Sequence, residues 1–450
     1  LINIRINAKL NQIYFWGNIF MSITQLRVSN FRSFKTIDIS LDELNILIGA
    51  NASGKSNFIQ IFKFLGDLIE FGLDDAISMQ GGIQYLVNAQ IGTSSPLTIE
   101  IVDNTVEKAR PYIPSSSKKE VGYDVIETSY RFSIGFGKRR KHFEIIEDTL
   151  RQKCKFYLFG KHQKDASEAD YIGDGEVSIE RMKGKPKLTI TPPGDVQQKE
   201  LLNNIFELEI VSRLLKGLRL KSKELYITSA KDSPYRFPVI GNSLRRKFER
   251  MSIYDFDPKL SKKAQLLTGR AELASDGSNL AIVINNLLRN RDKKRMLYNL
   301  ISELLPFVDS FKIQNIADAV IFTLQEKYTK NKPFPAYLLS DGTINLTSLV
   351  ICLFFEDKSL KIIEEPERNI HPFLISKIMD FMKEASKITQ VITTTHNPEV
   401  VRHANINNIL LVSRTKEGFS MIQRPSDTDR VKSFLEQEMG LEELYIQNLL

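Results

Sequence analysis

The chain holds 450 residues, 42% of them hydrophobic and 26% charged, which is the make-up of an ordinary globular protein of up to three domains at ~150 residues each. Gly 23 and Pro 16 are too few for a fibrous or low-complexity chain, and the only two cysteines, Cys154 and Cys352, exclude a disulfide framework or a Cys-x-x-Cys zinc site and fit a reducing cytoplasm. Lys+Arg 62 against Asp+Glu 54 leaves a net charge of +8, which permits a nucleic-acid partner without demanding one.

No run of about 18 apolar residues occurs, so no membrane span or membrane partner is expected. Residues 1–20 are broken up by Asn, Arg, Lys and Gln, too polar for a signal-peptide core. Met21 is the expected natural start, with 1–20 as upstream sequence read through; the alternative is a genuine short extension.

Residues 21–100 open with two alternating stretches, Ile23–Ser29 and Phe34–Leu41, that read as half-buried strands. Leu44–Ile48 is a short apolar run ending at a glycine. Phe58, Ile61, Phe62, Leu65, Leu68 and Ile69 then form one stripe of an amphipathic helix. Residues 101–195 form a β-rich lobe, with β-like Leu97–Val102 leading into it and Tyr130–Phe136 and Lys187–Thr191 within it. A turn at Pro192-Pro-Gly194 closes it. Residues 196–305 read as a helical insertion, from Leu201, Ile205 and Leu208 to Leu280, Ile284, Leu287 and Leu288. Heptads are not sustained, so no long coiled-coil arm is expected. Within 306–450, strand and helix patterns alternate from 337 onward, which predicts a parallel α/β sheet.

Gly49-Ala-Asn-Ala-Ser-Gly-Lys-Ser56 matches G-x-x-x-x-G-K-[ST] in full, between the buried strand and the helix. Gly49 and Gly54 let the backbone fold tightly and turn its N–H groups onto an anion. The helix start adds its positive dipole end. Lys55 can reach the β- and γ-phosphates, and the Ser56 hydroxyl can bind Mg²⁺. The other reading is a chance match, on the order of 1% for ordinary composition.

Three later features lie where the same chemistry needs them. Leu360–Ile363 runs into Glu364-Glu365-Pro366, carboxylates at the C-terminal end of a buried strand. Glu364 could hold Mg²⁺ through water, and Glu365 could orient and deprotonate an attacking water; a solvated acidic turn is the alternative. Leu339-Ser-Asp-Gly-Thr343 precedes a helix pattern, so Ser340 is either a plain N-cap or part of a second anion-binding helix start that Gly342 leaves open. Val391–Thr395 is a β-branched strand ending in His396, 31 residues past Glu365, enough for one βαβ unit. A lone histidine is usually structural; at this sheet edge it could sense a γ-phosphate.

Together these elements resemble the ABC-class ATPase heads of the RecF, SMC and OLD group. They are most similar to bacterial AAA-family ATPases of the AAA_21 or RecF-like kind. The resemblance is carried by Gly49–Asn57 (Walker A), Leu339–Thr343 (signature), Ile362–Pro372 (Walker B and D-loop), Thr394–Pro398 (switch) and Asp276-Gly-Ser-Asn-Leu280. It implies an α/β P-loop NTPase of the ABC-ATPase head type, with ATP and Mg²⁺. Gly49, Asn51, Ser53, Gly54, Lys55, Ser56 and Asn57 would contact nucleotide, Ser56 and Glu364 the metal. Glu365 would be the base and His396 the switch. It also implies an ATP-dependent homodimer or larger assembly, each ATP sandwiched between Walker A of one subunit and Ser340 and Gly342 of the other. Arg32 sits where related heads touch nucleotide. Asp341 replaces the usual signature glycine, and His371 stands at the D-loop aspartate position. Gln80, Gln84 and Gln90 compete as the Q-loop residue. About fifty residues follow His396, too few for the Toprim nuclease of OLD-type proteins.

Two classes of function follow. One is an ATP-switched machine on DNA or RNA, in repair or genome maintenance, using basic clusters at 138–141, 216–223, 245–250 and 289–295; a solvated lysine-rich face is the bland alternative for each. The other is a sensor or regulatory subunit of an anti-phage defence or toxin module, working with a separately encoded nuclease. A transporter ATPase is a distant third. Each places the chain in the cytoplasm.

Overall fold

The structure is a computed structural model that describes residues 22–109, 119–137, 143–160, 170–182, 185–191, 193–194, 223–229, 242–266, 271–329, 332–427 and 441–446. The expectations for 1–20, for the basic cluster 138–141 and for Leu201, Ile205 and Leu208 lie outside the described residues. The chain divides into two compact units. One takes Arg27–Phe71, Asp75–Ser95 and the described residues from Lys247 onward; the other takes Ser22–Leu26, Gly72–Asp74 and those between Pro96 and Arg246.

Along most of their length strands β1 (Ile23–Phe31) and β2 (Phe34–Ser40) alternate buried residues with half-buried ones in β1 and exposed ones in β2, as their sequence pattern predicts. β3 (Leu44–Ile48) is buried at every residue, the property of a strand covered on both faces. Helix α1 (Lys55–Phe71) buries the whole predicted stripe and also Ile59 and Phe64, so its apolar face is wider than a surface helix needs.

The second unit is an antiparallel meander of β4 (Leu97–Asp103), β5 (Lys119–Phe136), β6 (Phe143–Gly160), β7 (Asp170–Met182) and β8 (Lys185–Thr191), each paired with the next. Its interior holds a buried ion pair, Asp148 with Arg181 at 3.3 Å. The Tyr130 hydroxyl and the Tyr226 backbone N–H both donate to Asp148, at 2.9 and 3.1 Å. Burial pushes the Asp148 carboxyl up to about 7 against those bonds. Little of the basic cluster 216–223 is described; Lys223 is spent on Asp74, 3.0 Å away.

The first unit resumes with β9 (Met251–Tyr254), α2 (Leu280–Arg289), α3 (Arg291–Leu304) and a hairpin of β10 (Val308–Ile316) and β11 (Ala319–Glu326). There follow α4 (Asp341–Phe354), β12 (Leu360–Glu364), α5 (Ile375–Ser386), β13 (Gln390–Thr395), β14 (Ile409–Arg414) and β15 (Ser420–Gln423). Strand order is β9-β12-β13-β3-β14-β15-β2-β1, parallel from β9 through β14. The alternation from 337 onward therefore supplies the parallel strands β12, β13 and β14, with β12-α5-β13 as the βαβ unit, while β15 turns back antiparallel to β14. One element departs from the sequence reading. β9 is a sheet strand inside the stretch read as helical; four residues are too few to show a period, and pairing with β12 decides them. The β10–β11 hairpin belongs to a separate small sheet. Among the described residues, no helix is long and apolar enough to cross a membrane.

Candidate functional site

Parallel register sets the site. Glu364 is level with Thr394, which is level with Leu47, and Thr395 is level with Ile48. The phosphate loop, the acidic pair and His396 therefore leave three adjacent strands at the same sheet edge, where ligands bind in open α/β sheets.

The loop is tightly packed. A Cβ on Gly49 would lie 2.2 Å from the Val412 carbonyl oxygen of β14, so no larger residue fits. Gly54 has φ 125°, and a Cβ there would lie 2.2 Å from Ser420 Oγ of β15. Ser420 Oγ donates to the Ser53 carbonyl at 2.6 Å, and Arg414 Nε to that of Ala52 at 3.0 Å. Asn57 Nδ2 donates to Ser33 Oγ at 2.8 Å, which ties α1 to the turn after β1. Lys55 Nζ donates to the Gly49 and Ala50 carbonyls, at 2.6 and 3.1 Å. Burial lowers its pKa, while Glu365 and Glu367 pull the other way. Asn51 and Ser56 are exposed at the mouth, and Ser53 Oγ is buried with no hydrogen-bond partner among the described residues.

At the acidic end, Glu365 has φ 42°, an uncommon conformation for a non-glycine residue that costs about 1–3 kcal/mol. Its backbone N–H donates to the Thr394 carbonyl at 3.0 Å. Its carboxylate takes His396 Nδ1 on one oxygen at 2.8 Å and Arg368 Nη2 on the other at 3.2 Å. Glu364 is raised above the usual carboxylate range, first by burial and then by the like charges of Asp255 and Glu365. Glu367, also buried, accepts from Thr395 Oγ1 at 2.5 Å. Glu365, Glu367, Arg368, His396 and Asn397 line a cavity of about 430 Å³.

Ser340 caps α4, its Oγ accepting the Thr343 N–H at 3.2 Å, as the sequence predicts. Gly342 lies against the loop after β12: a Cβ would meet the Asn369 carbonyl oxygen at 2.7 Å. Asn345 Nδ2 donates to the Arg368 carbonyl at 2.8 Å. His371 caps the next turn, accepting the Phe373 N–H at 3.3 Å. Among the described residues no hydrogen bond or ion pair joins Ser340 or Gly342 to the phosphate loop of the same chain. Arg32, with φ 46°, turns its Nη2 onto Gln80 Oε1 at 2.6 Å. Gln90 is taken by the Glu417 carbonyl at 2.9 Å.

Sequence reasoning missed Asp255 and Arg368 as a pair. Arg368 Nη1 donates to Asp255 Oδ1 at 2.9 Å. Asp255 follows β9, so it arrives at this edge only because β9 joins the sheet. Ser33, Arg414 and Ser420 were missed too, since nothing local marks them as loop supports.

Residues 44–402 match the family AAA_21, described as "AAA domain, putative AbiEii toxin, Type IV TA system". Among curated proteins, Endonuclease GajA of Bacillus cereus (strain VD045) is 38% identical over 47 residues; the match spans 10% of this chain and 8% of that protein. Among solved structures, an Smc head bound to the C-winged helix domain of ScpA aligns over 89% of this chain and 97% of its own, with TM-score 0.44 and 14% identity. The SMC head domain from Thermotoga maritima aligns over 89% and 98%, with TM-score 0.36 and 14% identity.

Proposed function

Since the chain belongs to the AAA_21 family of AAA domains, we propose that it is an ATPase whose heads close on ATP in pairs. The observation that carries this reading is the convergence of the phosphate loop, Glu364-Glu365 and His396 at one sheet edge, with Glu365 bonded to His396. The loop N–H groups and Lys55 bind the phosphates. Glu365 accepts the proton of the attacking water, and His396 holds it in line.

Mg²⁺ fits the donor set: the Ser56 hydroxyl and the Glu364 carboxylate are hard oxygen ligands, and a carboxyl crowded by Asp255 and Glu365 is one that a cation relieves. When bound, the ion would supply charge neutralisation at the β- and γ-phosphates. Ser340 and Gly342 of a second copy complete the site.

The setting is a nucleic-acid-processing assembly. The family description and the short likeness to an endonuclease favour a sensor or regulatory subunit of a defence or toxin module, paired with a separately encoded nuclease, over direct action in repair. Glu365→Gln tests the chemistry: it should bind ATP, hardly turn it over, and associate in an ATP-dependent way by light scattering. A normal hydrolysis rate would mean the base is another residue. Absence of association would remove the paired closure.

A further inference from the structure

We propose that Lys262 is a positioning residue for ATP-driven closure: it cancels the charge of Asp341, so that the start of α4 can face the phosphates held by a second copy. The inference rests on the paired-closure reading above.

Asp341 occupies the first turn of α4, directly after the capping Ser340. A carboxylate there suits the helix dipole but opposes a polyphosphate arriving at the same turn. The structure supplies the counter-charge. Lys262 Nζ lies 2.5 Å from Asp341 Oδ1, and the lysine side chain is only 19% exposed against 41% for the aspartate. A pair sheltered on one side is screened less than a surface pair.

Lys262 is held in place by elements with no part in the site itself. It ends the short turn Pro258–Ser261, which Asp257 caps at the other end. Ser261 Oγ donates to the Gly277 carbonyl at 2.8 Å. Gly277 sits at φ 74°, where a Cβ would meet Ser261 Oγ at 2.9 Å and Ser348 Oγ of α4 at 3.5 Å. The Asp276-Gly-Ser-Asn279 motif, which the ATPase chemistry leaves unused, is thus the mount that presses the Lys262 turn onto α4. The aspartate at the signature position and this motif belong to one device.

The test uses the full chain carrying Glu365→Gln, with ATP-dependent association read by light scattering and ATP affinity read with a fluorescent ATP analogue. Adding Lys262→Met, which keeps the stem, should weaken association about tenfold or more and leave ATP affinity unchanged. Asp341→Asn should associate at least as well as the parent. The double variant Lys262→Met/Asp341→Asn should return to the Asp341→Asn level, because no uncompensated carboxylate remains. If Asp341→Asn fails as badly as Lys262→Met, the pair is only structural glue and the proposal is overturned. If the double variant stays as weak as Lys262→Met, the lysine meets phosphate directly and the proposal is again overturned. Loss of association in the parent itself would instead remove the paired closure, and is seen before any variant at 262 or 341 is made.

Discussion

His396 Nδ1 lies 2.8 Å from Glu365 Oε1, while Arg368 holds the other oxygen of the same carboxylate through Nε and Nη2 at 3.3 and 3.2 Å. Both faces of the proposed base are engaged. Partial burial pulls its pKa up, but the bonds from His396 and Arg368 outweigh this and hold it below the usual carboxylate range.

The pH dependence of turnover follows from that balance. A base must be ionised, so activity falls as pH drops through its pKa. Arg368→Gln removes a lowering partner, so the pKa rises and the acid limb of the rate profile should move to higher pH. A limb that stays in place would mean that Glu365 is not the titrating group.

Lys55→Ala should abolish measurable ATP binding, or weaken it at least about tenfold, since it removes a charge-assisted contact to phosphate. Equilibrium titration with a fluorescent ATP analogue measures this. Full affinity in the variant would sink the phosphate-loop assignment.

Gly54→Ala should be costlier than an exposed loop change. It forces a side chain into φ 125° and towards Ser420 Oγ, with an expected loss of about 1–3 kcal/mol and weaker ATP binding. Chemical denaturation with and without ATP reads both effects; wild-type stability would contradict the packing described for the loop.

Lys361 is buried on β12, its Nζ donating to the Leu353 carbonyl at 2.8 Å. Burial lowers its pKa from 10.5 to about 8. The unfolded chain then binds more protons between those values, so stability should rise as pH climbs through that window. Below it the full cost of the buried charge is present. Lys361→Met should lose this slope; denaturant melts at several alkaline pH values would show whether it does.

Arg289, Arg291, Lys293, Lys294 and Arg295 are exposed, and among the described residues none of them is in an ion pair. Cluster 245–250 is differently placed: Arg245 and Lys247 are buried and Arg250 is bonded to Asp357. Any duplex DNA binding should therefore fall steeply with salt, and Arg291→Gln/Lys293→Gln/Arg295→Gln should flatten that dependence. Fluorescence anisotropy across a salt series tests it; an unchanged slope would place the contact elsewhere.

Much of the site was legible in the sequence because each part is local. Gly49–Ser56 needs only a strand before it and a helix after it. The 31-residue step from Glu365 to His396 fits one right-handed βαβ unit, and Ser340 declares itself as a cap. What could not be read depends on pairing across the chain. Met251–Tyr254 carries no period long enough to name a strand, so Asp255 stayed hidden. The partner of Asp341 lies 79 residues upstream in a turn whose sequence does not announce it.

The sheet order has a consequence for synthesis. β3 carries the phosphate loop, and its two neighbours are β13 and β14, made more than three hundred residues later. Until residue 395 has left the ribosome both edges of β3 lack their partners, until residue 414 one edge still does, and Ser420 is not yet there to brace Gly54. The first motif to be translated is the last to be finished. Pairings this distant in sequence are slow to form, so the nascent chain is most exposed to misassembly at the strand that leads into the Gly49–Ser56 loop.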